Sequence, residues 1–101
     1  MPAYYLFDVH EITNYEMMDR YRKAVLPTVT QYGGRYLSVG GEVTSVEGDW
    51  RPVFPVLIEF PSAQHARDWY GSREYGQIKD LRLRATRGHA ILLDAAPFDG
   101  K

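Results

Sequence analysis

Few side chains in this sequence can move a proton. Asp8 and His10 stand two apart in AYYLFDVH, where an extended backbone puts both on one face, the nearest approach to a His–carboxylate pair. Glu59, in VLIEFPS, is the other candidate, and His10 and Glu59 are taken as the possible catalytic groups. Each has a plainer role. His10 ends a strand and suits a surface or interface. Glu59, if buried, needs a cation such as Arg35 or Arg82. Metal chemistry is not expected: His10, His65 and His89 form no HxH or HxxxH pair, and there is no cysteine. No nucleophile elbow, phosphate loop or dinucleotide fingerprint occurs, so the sequence calls for no cofactor.

The elements that must position these groups follow from hydrophobic spacing. Residues 3–10 alternate as a strand, with Tyr5, Phe7 and Val9 on one face and Tyr4, Leu6, Asp8 and His10 on the other. Thr13-Asn14-Tyr15-Glu16 has capping-box spacing, and Met18, Tyr21, Val25, Val29 and Tyr32 recur at helical intervals. Pro27 predicts a kink or break near Leu26, and Gly33-Gly34 a helix end. Residues 35–46 read as a second strand interrupted by Gly40-Gly41, with Tyr36 and Ser38 sharing a face. Residues 53–60 read as a third strand, which Pro55 pushes toward an edge or unpaired position.

Ser62 is placed to cap a helix that turns Ala63, Ala66 and Trp69 inward. Gly71 breaks it, and Ser72 caps a renewed helix with the stripe Tyr75, Ile78, Leu81 and Ala85. Arg82 falls on the edge of that stripe, which favours an inward polar contact. A last strand covers residues 89–94. Residues 1–95 are expected to form one domain, and residues 96–101 a loose tail.

Size and charge agree with this. A chain of 101 residues, 45% hydrophobic and 25% charged, is an ordinary single globular domain. A net charge of −1, with 12 basic and 13 acidic residues, provides no field for nucleic acid or anionic lipid, and no run is long enough to span a membrane. A cytoplasmic protein is the default expectation without cysteine.

The order β-α-β-β-α-β is the split plan of ferredoxin-like α+β domains, a four-stranded antiparallel sheet with helices on one face. Tyr4, Leu6, Tyr36, Leu57 and Leu92 are expected on the other face, too apolar for water. A two-fold homodimer through that face follows.

The segments YGGRYLSVGGEV, EGDWRP and VLIEFPSAQHARDWYGSREY, with Arg82 after them, resemble the family known as domain of unknown function 1330 over nearly the whole chain. Phe54-Pro55 departs from its pattern. The resemblance implies a dimeric α+β barrel, two sheets packed face to face with helices outside, and no established activity. Around the matching motifs lie Arg35, Trp50, Trp69, Tyr75 and Arg82, which with Tyr36 are the candidate ligand-binding residues. Trp69 and Tyr75 suit a core as well as a ligand, and Trp50 either pins its turn or closes a pocket. Two functions fit. One is a cofactor-independent enzyme of oxygenase or isomerase type, in which an Arg holds an anionic substrate and His10 or Glu59 moves a proton. The other is a small-molecule-binding or stress-related homodimer without turnover.

Overall fold

The computed structural model describes residues 1–100. Its elements are β1 (Ala3–Ile12), α1 (Tyr15–Gln31), β2 (Arg35–Val39), β3 (Pro55–Phe60), α2 (Ala63–Tyr70), α3 (Arg73–Ala85) and β4 (Thr86–Asp94). All strand pairs are antiparallel, in the order β2-β3-β1-β4. The helices cover one face, which is the ferredoxin-like α+β architecture, with the second helix divided between α2 and α3. Residues 96–100 carry no helix or strand, and Lys101 lies outside the described residues.

Local chemistry accounts for most helix boundaries. The Ser62 and Ser72 hydroxyls accept the His65 and Tyr75 amides, capping α2 and α3. Gly33, at φ 81°, takes the left-handed conformation after α1. Two expectations fail here. The α1 cap is Asn14, whose side chain accepts the Met17 amide at 3.1 Å, because the Thr13 amide is tied to the Ala85 carbonyl at 2.6 Å. Nor does Pro27 break the helix: α1 runs unbroken to Gln31. The lost hydrogen bond would have gone to Lys23, on the exposed side where solvent can satisfy its carbonyl.

The sheet departs further from expectation. β2 stops at Val39, because Gly40 (φ 73°) and Gly41 (φ 114°) turn the chain out into residues 40–54, which form no strand. β3 is an interior strand, not an edge. Pro55 is tolerated there as its first residue, where no ladder amide is needed, and its carbonyl accepts the Gly40 amide at 2.7 Å.

Two bulges reset the faces. One, between Tyr36 and Ser38, leaves Tyr36 opposite Ile58 and Val39 opposite Val56, so Tyr36 faces the helices and not the open side. The other, between Val9 and Glu11, makes His10 the extra residue. Leu92 also faces the helices, because it lies opposite Tyr5; Ile91 and Leu93, opposite Leu6 and Tyr4, occupy the open face. Ile91, Leu92 and Leu93 are all apolar, so the segment's own pattern leaves its parity undetermined.

Five rings surround the fully buried Trp69: Tyr5, Phe7, Phe60, Tyr70 and Tyr75, with centroids 4.1 to 6.3 Å away. This wedge fills the space between the sheet, α2 and α3. The space between α1 and the β2-β3-β1 part of the sheet is left less full, and a cavity lies there.

Candidate functional site

The cavity has a volume of about 480 Å³. Phe7, Val56 and Ile58 supply its floor, and Met18 and Val25 of α1 its roof. Leu26, Val39 and Phe54 also line it and are themselves exposed, so it opens to solvent on their side. A concave, mostly apolar recess with a few polar groups is the usual form of a small-molecule site.

Four polar side chains line it: Tyr21, Arg22, Tyr36 and Arg82. Arg82 is the unusual one. Its Nε donates to the Tyr75 hydroxyl at 3.3 Å, its guanidinium lies 4.9 Å from the centre of the Phe7 ring, and its buried Nη2 has no hydrogen-bond partner. Burial works against its charge, but the Tyr75 and Tyr21 oxygens more than offset that and keep it protonated. The Tyr75 hydroxyl lies 2.9 Å from that of Tyr21. Burial pushes both phenols up in pKa, and it pushes Tyr36 up to about 12.

The candidates from the sequence therefore separate. Tyr36 and Arg82 line the cavity, and Tyr75 stands behind Arg82 as its support. Trp69 is part of the core, its Nε1 donating to Thr28 Oγ1 at 3.0 Å. Trp50 is 68% exposed, within residues 40–54. His10 is exposed and lines a neighbouring groove that shares Val9, Arg22 and Phe54 with the cavity. Glu59 and Arg35 are on the open face, joined Nε to Oε1 at 2.7 Å. Asp8 is occupied as well: its Oδ1 accepts the Val53 and Phe54 amides at 2.9 and 2.8 Å. Tyr21 was not singled out from the sequence. The available signal was a polar-tipped ring inside the buried stripe of α1, the same kind of signal that marked Arg82.

Glu59 and Glu74 shape the acid limb of stability. The Arg35 hydrogen bond, aided by the Tyr4 hydroxyl, holds the Glu59 carboxyl below its ordinary 4.5; Glu74 is lowered by its own backbone amide and by Tyr32. Both therefore favour the folded chain above about pH 4.5, and lose that advantage as pH falls through the lowered values. A Glu59→Gln/Glu74→Gln chain is expected to be less stable than the parent near neutrality. Thermal unfolding followed from about pH 6 to about pH 3 should show the difference shrinking; a constant difference would remove these carboxylates from the acid limb.

Among the described residues no group of His, Asp and Glu could hold a metal ion, and no helix is long and apolar enough to cross a membrane. Several solved structures share the fold. A Rhodopseudomonas palustris protein of unknown function matches with a TM-score of 0.73 and 17% identity, over 95% of this chain and 83% of that one. The Streptomyces nogalater protein SnoaB, described as a cofactor-independent oxygenase, matches with a TM-score of 0.56 and 10% identity, over 99% and 96%. An uncharacterised NIPSNAP-domain protein from Burkholderia xenovorans also has a TM-score of 0.56, with 13% identity and full coverage of both chains. At such identities the likeness is one of fold. No curated protein sequence matches the chain. Residues 2–96, which span the whole sheet and every helix, match the sequence profile of the family described as Domain of unknown function (DUF1330), and the chain belongs to that family.

Proposed function

We propose that this chain works as a homodimer whose sheet–helix cavity takes up a small, largely apolar organic molecule. One observation carries the reading: the Arg82 guanidinium, with no carboxylate partner, lies in the wall of an apolar cavity. A cation in such a wall is best satisfied by a polar or anionic group, and a bound ligand can supply one. A thermal-shift screen of aromatic acids and short carboxylates tests it, because a ligand bound only by the folded state raises Tm. A flat response across the screen would leave the cavity without a role.

The open face supports the homodimer. Leu6 and Leu57 lie there with Ile91 and Leu93, which are 57% and 58% exposed, and the Arg35–Glu59 pair adds a polar island. A second copy related by a two-fold axis would cover this face with its own equivalent. The chain is expected to scatter light as a dimer at micromolar concentration, and Leu57→Lys/Ile91→Lys as a monomer that stays folded. A monomeric parent would refute this.

The second reading adds turnover, as a cofactor-independent enzyme of oxygenase or isomerase type. What favours it is the fold shared with SnoaB. Of the two candidate proton-transfer groups, His10 adjoins the cavity, whereas Glu59 is bound to Arg35 on the opposite face. Turnover of any compound from the screen, by oxygen uptake or by isomer formation, should then fall sharply in His10→Gln. No turnover of any bound compound would leave the binding reading alone.

A further inference from the structure

We propose that the ligand is an organic monoanion with an apolar body, its charged oxygen held between the Arg82 guanidinium and a hydroxyl hydrogen left over in the Tyr21–Tyr75 pair. The inference rests on the cavity reading above and narrows it to a chemical class. Charge comes first. Among the described residues lining the cavity, the ionisable groups are Arg22, Arg82 and the phenols Tyr21 and Tyr36, with no Asp, Glu or His. Arg22 has a neighbour, Asp19, at 3.6 Å near the surface. Arg82 has only neutral partners: the Tyr75 hydroxyl and the face of Phe7. A second, more polar cavity on its other side brings Arg87, His89 and Asp8 nearby, but Asp8 already accepts two backbone amides and Arg87 lies 3.6 Å from Glu11. This half-buried positive charge therefore has no carboxylate of its own, and one negative charge in the cavity would balance it.

Hydrogen counting supplies the second contact. Two phenols carry two hydrogens, and their mutual bond uses one. Tyr75 Oη accepts from Arg82 Nε and is fully buried, so a spare hydrogen on Tyr75 would be stranded. Tyr75 therefore donates to Tyr21, and the spare hydrogen belongs to Tyr21, the phenol that lines the cavity. The run Arg82 to Tyr75 to Tyr21 ends in a donor with no acceptor. Burial holds both phenols neutral, so neither sets a negative charge against a ligand's own. Such a site prefers a ligand that arrives already ionised, as a carboxylate or a phenolate. Apart from Tyr36 and from Arg22, which lies beside Asp19 near the surface, the remaining wall is apolar and favours a single anionic group over a phosphate or a second carboxylate.

The test uses three probes on the full chain: 2-naphthoate, its neutral isostere 2-naphthamide, and 4-nitrophenol, which ionises near neutrality. Calorimetry should find 2-naphthoate bound roughly tenfold or more tighter than the amide, as a charge-assisted bond inside an apolar cavity implies. Arg82→Gln should erase that preference and leave the affinity for the amide, and Tyr21→Phe should weaken naphthoate several-fold without unfolding the chain. Binding of 4-nitrophenol should tighten as pH rises through its own ionisation. Equal affinity for acid and amide, or a preference that survives Arg82→Gln, overturns the anion assignment and leaves the cavity reading standing. Failure of all three probes to bind, or binding that survives filling the cavity with Val25→Trp, overturns both.

Discussion

Trp69→Ala is expected to lower the melting temperature by more than about 12 °C. The indole is wholly inaccessible, touches five rings and donates to Thr28 Oγ1. Truncating a buried Trp costs about 3–5 kcal/mol, through lost transfer energy and the cavity left behind. For a chain of this size each kcal/mol moves Tm by roughly 4–8 °C. Against a typical domain stability of about 5–15 kcal/mol, that loss removes much of what holds the fold together. Trp69→Phe keeps a ring in place and should lose far less. Thr28 Oγ1 still donates to the Val25 carbonyl at 2.6 Å, so the smaller change strands no buried hydroxyl hydrogen. A Tm drop below about 4 °C for the alanine variant would show that the aromatic wedge is not the main source of stability.

Gly88→Ala should come next, at about 2–3 kcal/mol of destabilisation. A Cβ at this position would overlap the backbone carbonyl oxygen of Asp8 and crowd the His10 amide. Neither belongs to a flexible side chain, so relief requires β4 to move away from β1 beside the His10 bulge. That movement would also disturb Asp8, whose carboxylate holds the Val53 and Phe54 amides at the return from residues 40–54. Gly76→Ala is the matched comparison. It lies inside α3 with open space around its Cβ, and the same change there should stabilise by about 0.5–1 kcal/mol. Chemical denaturation of the two variants checks the opposite signs; two changes of the same sign would refute the close-approach explanation for Gly88.

What the sequence determined by itself is what short-range chemistry controls. Ser62 and Ser72 cap because a hydroxyl three residues before an amide reaches it whatever lies beyond the helix. The inward stripes of α1, α2 and α3 follow from the 3.6-residue period, and Arg82 stood out because a guanidinium on such a stripe has to be accounted for. Element order then leaves few topologies, and the ferredoxin-like sheet is one of them. The tertiary structure decided what depends on pairing. A shift of one residue turns every side chain of a strand to the other face, so the pairing of Tyr36 with Ile58 and of Leu92 with Tyr5 set their faces, and the Leu37 bulge parted Ser38 from Tyr36. The Ala85 carbonyl moved the α1 cap from Thr13 to Asn14 by taking the Thr13 amide from across the chain. The site shows the same division. Tyr21, Tyr75 and Arg82 are separated by up to 61 residues, and only folding joins their hydroxyls and guanidinium into one run while leaving Nη2 unpartnered. A sequence shows that a cation is present on a buried stripe; the missing counter-charge is a property of the space around it, and that space exists only once sheet and helices have met.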